Sequence, residues 1–333
     1  MMKFNGYAAH KPGEDLEEHE YNADLGDNDV AIKISHCGIC HSDIHLVDGD
    51  MPMGDFPFIP GHEIVGEITG VGDNVTTKEQ GDRVAVGWQC NSCKHCEWCL
   101  QGEQHNCPEQ QATCVGRNGG FADGVIVDED FAFHVPNDLR SQDAAPMMCG
   151  GITTYTPLSE HASPGDHVAI IGLGGLGHFA LRFADEMGLE TTVISTSPEK
   201  HGSAQDLGAD HFVEADELSD VEGRFDVMVN TAPAQLPWDE HLASLRQNGV
   251  FVQVGAAPGS IEFQPFNLFP MDRKVVGSHI GSPEQIQEML RFAARNQIQA
   301  KTDLYEFDEV NEALDNVRDG AVRHRAVLKR QAF

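Results

Sequence analysis

The chain has 333 residues and is 40% hydrophobic, enough for a large buried core and, by length, for two domains rather than one. Acidic residues outnumber basic ones 53 to 22, and a formal charge of -31 with only nine lysines excludes nucleic acid and anionic membranes as partners. The longest apolar stretch, 168–184, is broken by four glycines, His178 and Arg182, which argues against a transmembrane helix, and MMKFNGYAAH has no apolar segment of signal-peptide length; a cytoplasmic protein is expected.

The first 135 residues read as a β-domain, a barrel, because segments 30–35, 63–71, 83–88 and 124–127 are β-rich and separated by Gly, Asp and Asn. Two groups of metal-ligating residues lie within it. Cys37-Gly-Ile-Cys40-His41-Ser42-Asp43-Ile44-His45 and Gly61-His62-Glu63 gather thiol, imidazole and carboxylate groups. A catalytic zinc needs a few such ligands and one open position, but spacing alone does not choose among them. The run Cys93-x-x-Cys96-x-x-Cys99-x7-Cys107 is more specific, since four thiols crowded into one loop suit a closed tetrahedral structural zinc. Disulfides are the weaker reading for a chain without a leader.

From about Ser163 the pattern changes to strand 166–171, helix 173–187 and strand 191–195, followed by strands 225–230, 250–254 and 274–278 and helical spacing over 283–296 and 307–318. Alternation of this kind implies a parallel sheet. At the end of its first strand stands Gly172-Leu-Gly174-Gly175-Leu176-Gly177. In this G-x-G-x-x-G run Gly172 allows the tight turn, Gly174 the approach of pyrophosphate, and Gly177 close packing of the helix on the sheet, which marks a dinucleotide site. The second strand leads into Ser195-Thr196-Ser197-Pro198-Glu199-Lys200 with no acid at its tip. Hydroxyls and Lys200 there suit a 2′-phosphate, so NADP(H) is expected over NAD.

With CGICHSDIH, GHE, the four-cysteine loop, AAPMMCGGITTY, GLGGLGH and STSPEK in this order, the chain resembles the zinc-dependent alcohol dehydrogenases of the medium-chain dehydrogenase/reductase superfamily, most closely the cinnamyl-alcohol-dehydrogenase-like branch. The resemblance implies an α/β chain with a GroES-like β-barrel catalytic domain, 1–149 and 285–333, and a doubly wound Rossmann domain, 150–284. It implies Cys40, His62 and Cys149 as ligands of a catalytic zinc, Glu63 as the carboxylate that takes the position vacated by water or substrate, and Asp43 as the acid orienting His62. Ser42 and His45 resemble the proton relay, linked through the nicotinamide-ribose hydroxyl, and His41 the residue near the cofactor pyrophosphate. Two zinc ions per chain, NADP(H) and a homodimer follow from the same likeness, as does reversible hydride transfer between primary alcohols and aldehydes, aliphatic or aromatic. Cys37, Cys90 and Cys114 match no ligand position.

Trp88 stands where the plant enzymes commonly carry a smaller residue, either reshaping the substrate cleft or packing in the core. Rival readings are a zinc polyol dehydrogenase, a zinc-free quinone reductase, which Cys40, His62 and Cys149 argue against, and a nonenzymatic NADPH- or redox-sensing protein on the same fold. The carboxylate-rich surface, which includes Glu14-Asp15-Leu16-Glu17-Glu18, is read as an adaptation to high salt.

Overall fold

The computed structural model describes residues 1–51, 55–257 and 259–330, so the expected domain bounds also span seven positions outside the described residues. The chain divides into two units, Met1–Ile152 with Ile280–Phe333, and Thr153–His279.

The first unit is built on strands β1 (Asp29–Ile39) and β2 (Glu63–Val71), which pair antiparallel. Thr302–Glu306, Arg325–Lys329, β1, β2, Arg83–Val86 and Phe133–His134 lie side by side in that order, and Gly124–Asp128 also pairs with β1. The alternating side chains of β1 send Val30, Ile32 and Ile34 into a core with Ile64, Ile68, Val84, Val86 and Val125. The expected strand 83–88 ends at Val86, and a separate short strand, Gln89–Asn91, follows Gly87 and Trp88. A Cβ on Gly87 would press on the Met148 carbonyl oxygen at 2.7 Å, so glycine at this break lets the chain carrying Cys149 come close.

Immediately after β1, helix α1 (His41–Asp48) begins at Cys40 and stops at Gly49, whose φ of 78° gives a left-handed cap. A later helix of this unit, Pro283–Arg295, follows its sequence pattern closely. Ile286, Met289, Leu290 and Ala293 form one buried stripe, while Ser282 Oγ accepts from the Gln285 N–H at 3.2 Å. The segment 307–318 begins instead as a tight 3₁₀ turn, Phe307–Glu309, and becomes α-helical at Val310.

The second unit holds six parallel strands: β3 (His167–Ile171), β4 (Glu190–Ser195), β5 (His211–Glu214), β6 (Phe225–Asn230), β7 (Leu245–Gln253) and β8 (Lys274–Gly277). Their spatial order is β5-β4-β3-β6-β7-β8, the doubly wound arrangement in which strand order reverses beside β3. Val168, Ala169, Ile170 and Ile171 are all buried, as a strand covered on both faces requires. Strand β5 is missing from the sequence-based set because His211-Phe-Val-Glu offers two apolar residues only.

Helix α2 (Gly177–Glu186) starts four residues later than the expected 173. The reason is local: Gly172, at φ 86°, turns the chain, and a Cβ on Gly177 would overlap the Gly172 carbonyl oxygen, so Leu173 to Leu176 form the turn itself. Among the described residues no helix is long and apolar enough to cross a membrane.

Candidate metal centres and cofactor site

The centre of the first unit forms around one buried carboxylate. Asp43, in the first turn of α1, accepts hydrogen bonds from the Cys40 N–H, the Gly61 N–H and His62 Nδ1, each at 2.9 Å. These contacts bring the end of β1 against the segment entering β2, and Gly61 supplies the φ of 100° that the approach needs. With Nδ1 engaged, the lone pair of His62 is directed through Nε2, which is buried without a partner among the described residues.

Cys149 enters from the widened turn Met147–Gly151, whose π-type winding follows Pro146. Its sulfur lies 3.8 Å from Cys40 Sγ, and one donor atom each from Cys40, His62, Glu63 and Cys149 lies within 4.8 Å of the others. Two thiols, one imidazole with a free ring nitrogen and a carboxylate make a donor set suited to zinc. The Cys149 hydrogen bond, with help from His62 and Arg325, holds Cys40 well below the usual thiol range. The same contact and burial push Cys149 well up. Burial opposes charge on His62, but Asp43 and Cys149 outweigh it and raise that imidazole.

Glu63 introduces an arginine that the sequence did not single out. Arg325, 4% exposed, donates from Nη2 to Glu63 Oε1, while Glu63 Oε2 has no partner among the described residues. Burial raises the Glu63 pKa to about 7, against the lowering effect of Arg325. The residue across the strand pair from Glu63 is Gly38, and a Cβ there would overlap Glu63 Oε2. Trp88 is half-buried, packs on the core and sets its ring at right angles to His62, with centroids 5.0 Å apart.

Ser42 Oγ lies 3.7 Å from Cys40 Sγ. His45, one turn along the same helix, is 45% exposed and meets Asp50 at 3.3 Å. His41 is exposed at the first position of α1. Cys37, Cys90 and Cys114 are buried core residues, Cys114 standing within the same 4.8 Å of Asp43 and His62.

The loop thiols form a second centre. Donor atoms of Cys93, Cys96, Cys99 and Cys107 lie within 4.8 Å of one another, with Cys93 and Cys99 sulfurs 3.9 Å apart. Backbone N–H groups, that of His95 foremost, pull the Cys93 thiol down to about 6. Lys94, held at φ 62°, pins the loop to the sheet through Asp128 at 2.7 Å and Asp130 at 2.6 Å.

In the second unit Gly172, Gly174, Gly175 and Leu176 form the turn between β3 and α2, and Gly177 opens the helix. A Cβ on Gly174 would meet nothing within 4 Å, so its backbone is open to a ligand. Ser195 ends β4; its hydroxyl is buried and accepts from the Ser197 N–H at 3.2 Å, which shapes the turn. Thr196 is exposed, whereas Ser197 and Lys200 are half-buried, and among the described residues no carboxylate pairs with Lys200.

A thiolate–imidazole metal centre in one unit and a dinucleotide turn in the other define a metal-dependent dehydrogenase. Residues 26–137 match the alcohol dehydrogenase GroES-like domain, and residues 175–295 match the zinc-binding dehydrogenase family. The chain is 42% identical to a probable cinnamyl alcohol dehydrogenase of Oryza sativa subsp. japonica over 91% of its length and 86% of that protein's. It is 40% identical to a mannitol dehydrogenase of Petroselinum crispum, covering 91% and 94%. Among solved structures, a cinnamyl alcohol dehydrogenase of Sorghum bicolor has TM-score 0.94 and 35% identity, with 98% of each chain covered. The CAD of Helicobacter pylori, complexed with NADP(H), has TM-score 0.91 and 32% identity at the same coverage. The chain belongs to the zinc-binding alcohol dehydrogenases of the medium-chain dehydrogenase/reductase superfamily, whose chemistry is alcohol and aldehyde oxidoreduction.

The Glu63–Arg325 pair gives a test of the energetics. Arg325→Met leaves a buried carboxylate without its partner and should destabilise the fold by about 3–5 kcal/mol in urea unfolding. Adding Glu63→Gln should recover much of the loss; a loss below about 1 kcal/mol for the single variant would contradict the pairing.

Proposed function

We propose that this protein is an NADP(H)-dependent alcohol dehydrogenase and aldehyde reductase, with primary alcohols and aldehydes, aliphatic or aromatic, as its substrates. The observation that carries the reading is the convergence of Cys40, His62, Cys149 and Glu63 on one point, with the Ser42 hydroxyl beside it. A zinc held by Cys40, His62 and Cys149 supplies Lewis acidity toward the substrate oxygen, and NADP(H) supplies or accepts the hydride.

The chain's own residues then divide the remaining work. Asp43 fixes the His62 ring so that Nε2 faces the other donors. Ser42 Oγ holds the proton of the reacting hydroxyl, and His45 on the same helix face, half in solvent, passes it outward. Glu63 would be the carboxylate for the position vacated by water or substrate, and the Arg325 guanidinium compensates its charge against burial. The wide ring of Trp88 at His62 restricts the space on one side of the centre. Gly172, Gly174, Gly175, Leu176 and Gly177 present backbone to the pyrophosphate, and Thr196, Ser197 and Lys200 take the 2′-phosphate, with Ser195 bracing their turn. Cys93, Cys96, Cys99 and Cys107 hold a second, structural zinc, and reduced thiols of this kind suit a cytoplasmic setting.

Similarity to a mannitol dehydrogenase supports a second substrate class, polyols. A panel of aldehydes, primary alcohols and polyols assayed with both cofactors separates the two. Failure to consume NADPH with any of them, despite binding it, would leave only the sensor reading.

We also propose a homodimer and adaptation to salt. Edge strand β8 is open on one side, and Phe266 and Phe269, 74% and 59% exposed, meet at a tilt in the same unit with ring centroids 4.7 Å apart.

Four outcomes follow. Fully loaded protein should carry two zinc ions, and Cys149→Ala should retain one with activity lost and the fold kept; a single zinc in the wild type would refute the assignment. Lys200→Ala should weaken NADPH by about 1.5–3 kcal/mol in KM and leave NADH little changed, whereas equal wild-type efficiency with both cofactors would exclude the 2′-phosphate site. Sedimentation should give about twice 36.4 kDa rather than the monomer mass. The melting temperature should rise with sodium chloride as the Debye length shrinks to about 3 Å at 1 M. A flat or falling melting curve would leave the protein acidic without being salt-adapted.

A further inference from the structure

Three side chains far from the cysteine centres in sequence meet at the starting edge of the parallel sheet in the second unit. His167 opens β3, Glu190 opens β4 directly opposite it in register, and His211 opens β5. His211 Nε2 lies 2.8 Å from Glu190 Oε1, and His167 Nδ1 lies 3.6 Å from the same oxygen. One donor atom from each residue lies within 4.8 Å of the other two. A tetrahedral zinc with bonds of about 2.0–2.1 Å holds its ligand atoms about 3.3 Å apart, so this cluster already has the spacing of a metal site.

The tautomer of His167 suits the role. Its Nε2 lies 2.7 Å from Thr192 Oγ1, and Arg224 Nε, which can only donate, lies 3.4 Å from its Nδ1. The lone pair therefore sits on Nδ1, facing Glu190, while Nε2–H is braced by a hydroxyl, as the second nitrogen of a ligating imidazole usually is. Burial keeps this imidazole below its ordinary pKa and so neutral near pH 7. His211 and Glu190 are 41% and 48% exposed, which leaves a path for a hydrated ion.

We propose that His167, Glu190 and His211 form a third metal site, binding a divalent transition-metal ion through two imidazoles and a carboxylate. The donor set selects the nickel, copper and zinc class over magnesium and calcium, which prefer all-oxygen coordination. Arg224 is the built-in competitor: its Nη2 lies 3.8 Å from Glu190 Oε1, and it must turn outward when the cation enters. Asp226, which accepts the His167 N–H at 3.0 Å and pairs with Arg246 at 3.1 Å, adds a carboxylate behind the site. The cluster lies at the opposite end of β3 from Gly172, so it ties together three strands without touching the dinucleotide turn. Its consequence is stability of that unit rather than turnover.

The test uses the zinc-loaded enzyme in molar sodium chloride, which screens loose binding to surface carboxylates, titrated with nickel(II) by calorimetry while zinc content is followed. One added equivalent should bind with both zinc ions retained and raise the melting temperature. His211→Ala and Glu190→Gln should each weaken it at least tenfold with turnover unchanged, and Arg224→Gln should tighten it several-fold. No added equivalent in the wild type, uptake matched by zinc loss, undiminished binding in His211→Ala, or no gain in Arg224→Gln would overturn the site.

Discussion

The carboxylate of Asp43 is the constraint on which the first unit depends. It accepts from two backbone N–H groups and one imidazole while fully buried, so each hydrogen bond is made in a medium where an unmade one would be expensive. One residue thereby starts helix α1 at Cys40, closes the turn at Gly61 and aims His62. The metal donors are consequences of that closure: Cys40 and His62 are held by chain segments that Asp43 binds together. Cys149 arrives separately, on a π-wound turn that Gly87 allows to approach.

Charge around this point is arranged by burial. Glu63 and Arg325 form a pair deep in the sheet, and Gly38 is the strand neighbour that leaves Glu63 room. A buried pair of this kind contributes little net stability, and its retention is better explained by the chemistry of a carboxylate whose second oxygen remains uncommitted beside the thiols. The nucleotide unit uses backbone instead of charge: a glycine turn opens space between strand and helix, and the one uncompensated lysine near the tip of β4 stands out in a chain of formal charge -31.

The site residues named by short motifs were legible because their chemistry depends on local spacing. The four loop cysteines, the Gly172 to Gly177 turn and the Cys40–Asp43 segment each lie within one short stretch of chain, and the structure brings the members of each together. Arg325 was not legible, since its partner lies 262 residues earlier and only sheet pairing unites them. The same holds for the His167, Glu190 and His211 cluster, which exists only once three strands align. Element boundaries failed where turn chemistry overrode apolar periodicity, at Leu173 to Leu176 and Phe307 to Glu309, and β5 was too short to signal itself.

Zinc-edge anomalous diffraction from wild-type and Asp43→Asn crystals grown without added metal tests whether Asp43 builds the centre of Cys40, His62 and Cys149 independently of the loop cysteines. Strong peaks are expected at both centres in the wild type, whereas an asparagine turns an amide donor toward groups that already donate. The variant should show loss or marked weakening of the Cys40, His62 and Cys149 peak, with the Cys93, Cys96, Cys99 and Cys107 peak unchanged. Equal peaks at both centres in the variant would contradict that role of Asp43.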